Sequence, residues 1–178
     1  MSGRARHAVL TGAPGAGKTT LLEAAEAAGM RTSHEVARRI LLAPGGMELR
    51  ARDPLVFAEA MLDAHLAELD GAAATRETVV FDRGLPDVVG FLDVSDLPVS
   101  ARIKAACRKI RYSGPILRAP AWPDIYRQDE QRIQTLEEAV ASDHAVSAAW
   151  RRFGYEVIDL PFTTVAERLE FLRQRVEA

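Results

Sequence analysis

A chain of 178 residues, 48% apolar and with a net charge of −2, is sized for one folded unit with a substantial core. The near balance of 23 Lys and Arg against 25 Asp and Glu argues against binding nucleic acid through charge alone, so nucleic acid is not an expected partner. No stretch approaches the roughly 20 apolar residues of a membrane span, and the basic N-terminal segment has no sustained apolar run before Lys18, so a cytoplasmic protein is expected.

The apolar run HAVLT (7–11) predicts a buried strand, and GKTTLLEAAEAAG predicts a helix closed by Gly29. MRTSH (30–34) reads as a second strand, followed by a helix from Glu35 that PGG at 44–46 stops. Asp53 and Pro54 form an N-cap and first helical residue, and Leu55, Met61, Leu62, Leu66 and Leu69 make the apolar stripe of a helix that runs to Gly71. TVVFD (78–82) is the clearest strand; helices near 86–94 and 99–110 follow it. The single cysteine, Cys107, cannot form an intrachain disulfide, and its setting ARIKAACRKI suits a small buried residue better than a nucleophile. GPILRA (114–119) reads as a strand, 129–153 as a long charged helix ending at Gly154, and YEVIDL (155–160) as the last strand. Thr164 with Glu167 gives the final helix a capping box. Strands separated by helices predict an α/β fold with a mainly parallel sheet covered on both faces. With no repeat, low-complexity tract or linker, 1–178 reads as one domain.

Gly12, Gly17, Lys18 and Thr19 satisfy G-x-x-x-x-G-K-[ST] between a predicted strand and a predicted helix. The candidate phosphate cradle is Gly12, Ala13, Pro14, Gly15, Ala16, Gly17, Lys18, Thr19 and Thr20. Its glycines let backbone N–H groups turn inward, and the following helix adds its positive end. Lys18 would reach the β- and γ-phosphates, and Thr19 would offer its hydroxyl to Mg²⁺.

The GTPase motif N-K-x-D and the transporter signature L-S-G-G-Q are both absent. Instead, FDRG places Asp82 at the C-terminal end of a strand, the edge where ligands collect in open α/β sheets. Asp82 there can hold Mg²⁺ or accept a proton, and Arg83 can grip the acceptor or a phosphate; alternatively Asp82 caps the turn before LPDVVGFL. Glu35 in SHEVARR is a second acid, either facing the same cleft or serving the first turn of its helix. Arg38 and Arg39 fit a solvated helix face, and the histidines, His34 included, show no metal-ligand spacing.

The stretch RAPAWPDIYRQDEQRIQ has two Pro-bounded turns around Trp122, the pattern of a cover over a cleft, at about 118–132. Arg127 and Arg132 could swing onto the transferring phosphate or pair with Asp129 or Glu130. Trp122 and Tyr126 could stack on a flat acceptor or pack in the core; the residues leave both open.

The series TGAPGAGKTT, HEVARRI, FDRGLPD, RYSGP, PAWPDIYRQDEQR and GYEVIDLP, with Val165 and Arg168 after it, resembles a family of small bacterial predicted ATPases of AAA type. That family is grouped with the ribosylnicotinamide kinase domain and is similar in outline to thymidylate and deoxynucleoside kinases. The resemblance implies a P-loop NTPase core with a nucleoside-kinase-like parallel sheet in strand order 2-3-1-4-5, and ATP with Mg²⁺ as its nucleotide and metal. It assigns to Glu35 the place of a base, and to Asp82 and Arg83 that of a pair serving the metal and the acceptor hydroxyl. Those kinases have Glu-Arg-Ser where this chain has Asp-Arg-Gly, which leaves base and metal ligand interchangeable between Glu35 and Asp82. Arg127 and Arg132 match the lid by position more than by pattern. The activity implied is transfer of a γ-phosphate to a hydroxyl of a small molecule, nucleoside-like or a natural product. A nucleotide-binding switch or accessory ATPase acting on a protein partner is the alternative.

Overall fold

Apolar runs too short to cross a domain more than once, alternating with one-sided helices, are hidden on both faces only when the strands lie side by side between helical layers. In the computed structural model, which describes residues 6–33, 36–75, 77–126 and 135–178, β1 (His7–Gly12), β2 (Arg31–Thr32), β3 (Val79–Asp82), β4 (Ile116–Ala119) and β5 (Val157–Asp159) make one sheet. Its order is β2-β3-β1-β4-β5, and every neighbouring pair is parallel. The order agrees with that implied by the family resemblance.

Alternation along the strands sorts the core into two layers. Val9, Phe81 and Ile116 face one way, against Phe57 and Leu62 of α4 (Pro54–Ala73), Leu85, Val88 and Leu92 of α5 (Leu85–Val94), Ile103 of α6 (Ala101–Lys109) and Trp150 of α7 (Leu136–Arg152). Ala8, Leu10, Val80 and Leu117 face the other way, against Leu21 and Ala25 of α1 (Lys18–Ala27) and Leu172 and Val176 of α8 (Val165–Glu177). Cys107 is buried, and burial together with the nearby Asp87 charge pushes its thiol up to about 12, which suits the core residue expected.

PGG stops the helix as expected: α2 (Val36–Leu42) ends before it, and α3 (Gly46–Arg52) begins at its last glycine, where a Cβ would lie 1.9 Å from the carbonyl oxygen of Ile40. The structure differs from the sequence reading at two boundaries. The second strand pairs over Arg31–Thr32 alone, and Ser33 continues the contact with its N–H on Val80 O at 3.0 Å. α7 starts after Thr135, whose hydroxyl accepts from Glu138 N while Glu138 accepts from Thr135 N, and the earlier start expected near Asp129 lies outside the described residues. The caps at Asp53 and Thr164 are as expected.

α5 and α7 approach so closely at Gly90 that a Cβ there would sit 2.6 Å from Val146 Cα. Gly90→Ala is expected to destabilise the protein by about 1–3 kcal/mol through overpacking, read as a lower urea midpoint at unchanged slope. A midpoint equal to wild type would mean the two helices part at no cost.

His65 on α4 is 4% exposed. Burial pushes its imidazole down to about 4; Asp87 opposes that shift, and Arg83 and Arg39 add to it. The native protein therefore holds His65 neutral, while the unfolded chain takes up a proton near 6.5. Its contribution is whole above that pH and is lost as pH falls toward 4. Between pH 7 and 5, wild type is expected to lose roughly 1–3 kcal/mol more unfolding free energy than His65→Gln. Parallel losses in the two proteins would contradict a buried neutral imidazole.

Candidate active site

β1 delivers the chain to the C-terminal edge of the sheet at Gly12, where φ is +116° and a Cβ would lie 2.2 Å from the carbonyl oxygen of Ala119. The first glycine of the motif is thus required by the backbone of β4 beside it. Gly15 and Gly17 take the left-handed conformation at φ +74° and +78°, which turns the loop. Gly17 caps α1 with no side-chain hydrogen bond, and the first turn of α1 carries no acid. Its N–H groups form the uncapped positive end that suits an anion. Lys18 is buried and folds back over the loop, donating from Nζ to Ala13 O at 2.5 Å and Gly12 O at 3.4 Å. Thr19 and Thr20 are exposed on the first turn.

The register Leu10↔Asp82 sets the acid of β3 beside the loop. Asp82 is 4% exposed, and its N–H donates to Ser33 Oγ at 3.2 Å. It does not cap α5: the N-cap is Gly84, and the carboxylate serving that terminus is Asp87, which accepts from Gly84 N at 3.0 Å. Arg83 is left-handed at φ +68°. Its N–H donates to Leu10 O at 2.9 Å, and its Nη1 donates to Gly12 O at 3.2 Å and Asp87 Oδ1 at 3.0 Å. Asp87, itself buried, also accepts from Thr11 Oγ1 at 2.6 Å and Trp150 Nε1 at 2.9 Å. The glycine of FDRG is required because a Cβ on Gly84 would lie 2.8 Å from Tyr112 Oη and 2.9 Å from the Trp150 ring.

On the far side of the loop, Arg168 is 2% exposed and donates from Nη1 to Ala16 O at 3.0 Å. Its Nε and Nη2 find no hydrogen-bond partner among the described residues, and burial lowers its pKa. Trp122 lies over it, 5.5 Å from Cζ to ring centre, and packs on Phe162 with ring centres 5.2 Å apart. Trp122 is therefore half-buried against α8 and the loop before it. The 3-10 turn Pro123–Ile125 follows, and the Ile125 Cδ1 methyl would lie 3.5 Å from a Cβ on Gly17. Asp143 on α7 holds the stem of this segment, at 3.0 Å from Arg118 Nε and 3.2 Å from Ala121 N.

Of the residues singled out in the sequence, the fold brings Gly12 to Thr20, Asp82 and Arg83 to one edge of the sheet. Glu35, Arg127 and Arg132 lie outside the described residues, as does His34. Arg39 is half-exposed and paired with Glu68 at 2.6 Å, the solvated face expected. A cleft of about 660 Å³ between α2, α4 and the β2–β3 edge reaches Ser33 and is lined by Val36, Ile40, Ala64 and Phe81. A second, of about 470 Å³, gathers Lys104 and Arg108 of α6, Arg111 just after it and Arg152 at the end of α7, before β4 and β5 begin, and so opposite the P-loop edge.

No group of three or more His, Cys, Asp or Glu among the described residues is arranged to hold a metal. The Thr19 hydroxyl and the Asp82 carboxylate are hard oxygen donors on neighbouring elements. They fit Mg²⁺, which takes one or two protein oxygens and completes its shell with phosphate and water. Sequence reasoning missed Asp87, Arg168 as a P-loop contact, and Ser33. Asp87 reads as an ordinary first-turn acid of α5; only its place in FDRGLPD marks it.

A family model described as an AAA domain matches residues 7–168. No curated protein matches the chain in sequence. Among solved structures, deoxyadenosine kinase from M. mycoides, with products dCMP and dCDP bound, aligns at TM-score 0.72 and 14% identity over 96% of this chain and 98% of that one. Thymidylate kinase from Candida albicans aligns at TM-score 0.70 and 8% identity over 98% and 92%. NadR in complex with NR aligns at TM-score 0.71 and 17% identity over 98% of this chain and 50% of that one. At these identities the likeness is one of fold, a parallel sheet flanked by helices around a P-loop. The family match runs from β1 into α8, and the chain belongs to the AAA domain family and carries the fold of P-loop nucleoside and nucleotide kinases.

Proposed function

We propose that the protein transfers the γ-phosphate of Mg-ATP to a hydroxyl of a small molecule, nucleoside-like or a natural product, and that residues 1–178 act as one kinase domain. The observation that carries this reading is the pairing of an uncapped P-loop helix with a buried carboxylate, Asp82, that is not spent on capping α5. An acid shielded from water and set one strand from the loop is suited to chemistry at the phosphates.

In the reaction, the loop N–H groups from Gly15 to Thr20 and the Lys18 ammonium hold the phosphates, Lys18 exchanging its contacts on Ala13 O and Gly12 O for phosphate oxygens. Thr19 and Asp82 would hold Mg²⁺, which would supply positive charge to offset that of the phosphates. A carboxylate, Asp82 or Glu35, takes the acceptor proton as the acceptor oxygen bonds to the γ-phosphorus, while the bond from phosphorus to the β-phosphate oxygen breaks and ADP leaves. Arg83, and Arg127 and Arg132 from the lid segment, stabilise the charge spread over the transferring group. The acceptor would occupy the cleft that reaches Ser33, whose volume of about 660 Å³ suits a small molecule. Among the described residues no helix is long and apolar enough to cross a membrane.

A second reading, a nucleotide-driven switch acting on a protein partner, is favoured by one feature. Leu42, Met47, Leu55 and Val56, on α2, α3 and the start of α4, are between 42% and 68% exposed and offer an apolar surface near the acceptor end.

ADP formation with Mg²⁺ and ATP, alone and with pooled nucleosides, nicotinamide riboside, sugars and aminoglycoside-like compounds, separates the two readings. Stimulation by one pool is expected, whereas slow turnover indifferent to every pool favours the switch. Lys18→Ala is expected to lower turnover at least about 10²-fold with its circular dichroism unchanged, and Asp82→Asn by a similar factor. Wild-type rates in Lys18→Ala would refute nucleotide chemistry at this loop; wild-type rates in Asp82→Asn would leave Asp82 a structural acid.

A further inference from the structure

A buried carboxylate is tolerated only where its lone pairs are satisfied, and Asp87, 6% exposed, is satisfied in full. Oδ1 accepts from Thr11 Oγ1 and Arg83 Nη1, and Oδ2 accepts from Gly84 N and Trp150 Nε1, all between 2.6 and 3.0 Å. The four donors come from β1, from the turn after β3 and from α7. Thr11 immediately precedes Gly12, the first residue of the P-loop, and Arg83 immediately follows Asp82. One carboxylate therefore joins the entry to the phosphate loop with the exit from the acid strand.

Arg83 shows why that joint is tight. A left-handed backbone at an arginine costs about 1 kcal/mol and persists only where its surroundings enforce it. Here Leu10 O holds its N–H, while Gly12 O and Asp87 together hold Nη1. Without a negative charge at Asp87, both of these Nη1 partners are neutral, and the restraint on the strained turn weakens.

We infer that Asp87 is a positioning residue of the phosphotransfer site, fixing the Arg83 guanidinium and the Asp82 turn against the P-loop. The inference rests on the phosphotransfer reading and goes beyond it by assigning a residue that touches neither nucleotide nor acceptor. It acts through Arg83.

Asp87→Asn keeps the shape and removes the charge. Assayed as ATP turnover well below its melting temperature, it is expected to lower kcat about 10–100-fold, while affinity for a fluorescent ADP analogue stays within about threefold. Adding Arg83→Met to Asp87→Asn should cost less than about threefold more, although Arg83→Met alone costs as much as Asp87→Asn, since both act through one guanidinium. Trp150→Phe removes a different hydrogen bond from the same carboxylate; it should lower the melting temperature and leave kcat per folded molecule unchanged. Should Asp87→Asn not fold, Asp87→Glu, which keeps the charge and displaces it, carries the same comparison. Turnover of the Asp87 variant within twofold of wild type, or costs that multiply with those of Arg83→Met, overturns the inference alone. Wild-type turnover no faster than that of Lys18→Ala overturns the phosphotransfer reading and the inference with it.

Discussion

The close approach of three backbones at the end of β1 is the constraint on which the rest of the structure depends. β1 lies between β3 and β4, and at Gly12 the β4 carbonyl of Ala119 occupies the space a side chain would need. The chain can leave the sheet there only through a glycine with positive φ, and that departure opens the loop. On the opposite flank, the pairing of Leu10 with Asp82 decides which residue of β3 stands beside the loop. A slip of one residue would point Asp82 to the other face and bring Arg83 into the strand. The parallel register is therefore what sets Asp82 beside the phosphate loop.

Around that junction the protein buries charge and secures it with hydrogen bonds from several elements. Lys18, Asp82, Asp87 and Arg168 are each under 10% exposed, yet they lie in a compact arc from the P-loop to α5 and α8. In such surroundings electrostatic interactions are stronger than in water, and fixed groups need no reorganisation when charge moves between phosphates. The same burial makes error costly, which explains why Asp87 has four donors and why Gly84 carries no Cβ to displace Trp150 or Tyr112. Arg168 is matched less fully than Asp87, with one donor on Ala16 O and two unmatched among the described residues.

What was legible in the sequence is what local pattern encodes. Alternating apolar runs gave five strands, the spacing of Gly12, Gly17, Lys18 and Thr19 gave the loop, and the caps at Asp53 and Thr164 read correctly because each involves residues three apart. Asp87 was not legible because its partners are Thr11, 76 residues upstream, and Trp150, 63 residues downstream. Nothing local separates such an acid from one that serves a helix dipole. The choice between roles for Asp82 needed the same kind of information, since only the structure shows that another carboxylate serves the start of α5. PGG read correctly as a stop, but the helix that resumes at Gly46 was not legible, because it depends on the Ile40 carbonyl lying where a Cβ of residue 46 would be.

The two ends of the site differ in how firmly they are built, and the difference suits the proposed chemistry. The nucleotide end is tied by backbone register and by buried side chains from β1, β3, α5, α7 and α8. The cleft proposed for the acceptor is walled on one side by α4 and on the other by α2, a helix of seven residues whose one buried residue is Val36. Helices that short gain little from their own hydrogen bonds and follow whatever packs on them. Charge at the transferring phosphate has to be preorganised, whereas a pocket that reads molecular shape can adapt as its ligand enters. On the proposed reading, a fold that concentrates its buried polar bonds around the P-loop and leaves one short helix beside the cleft would fix the reaction in its core and leave the choice of acceptor to its least constrained wall.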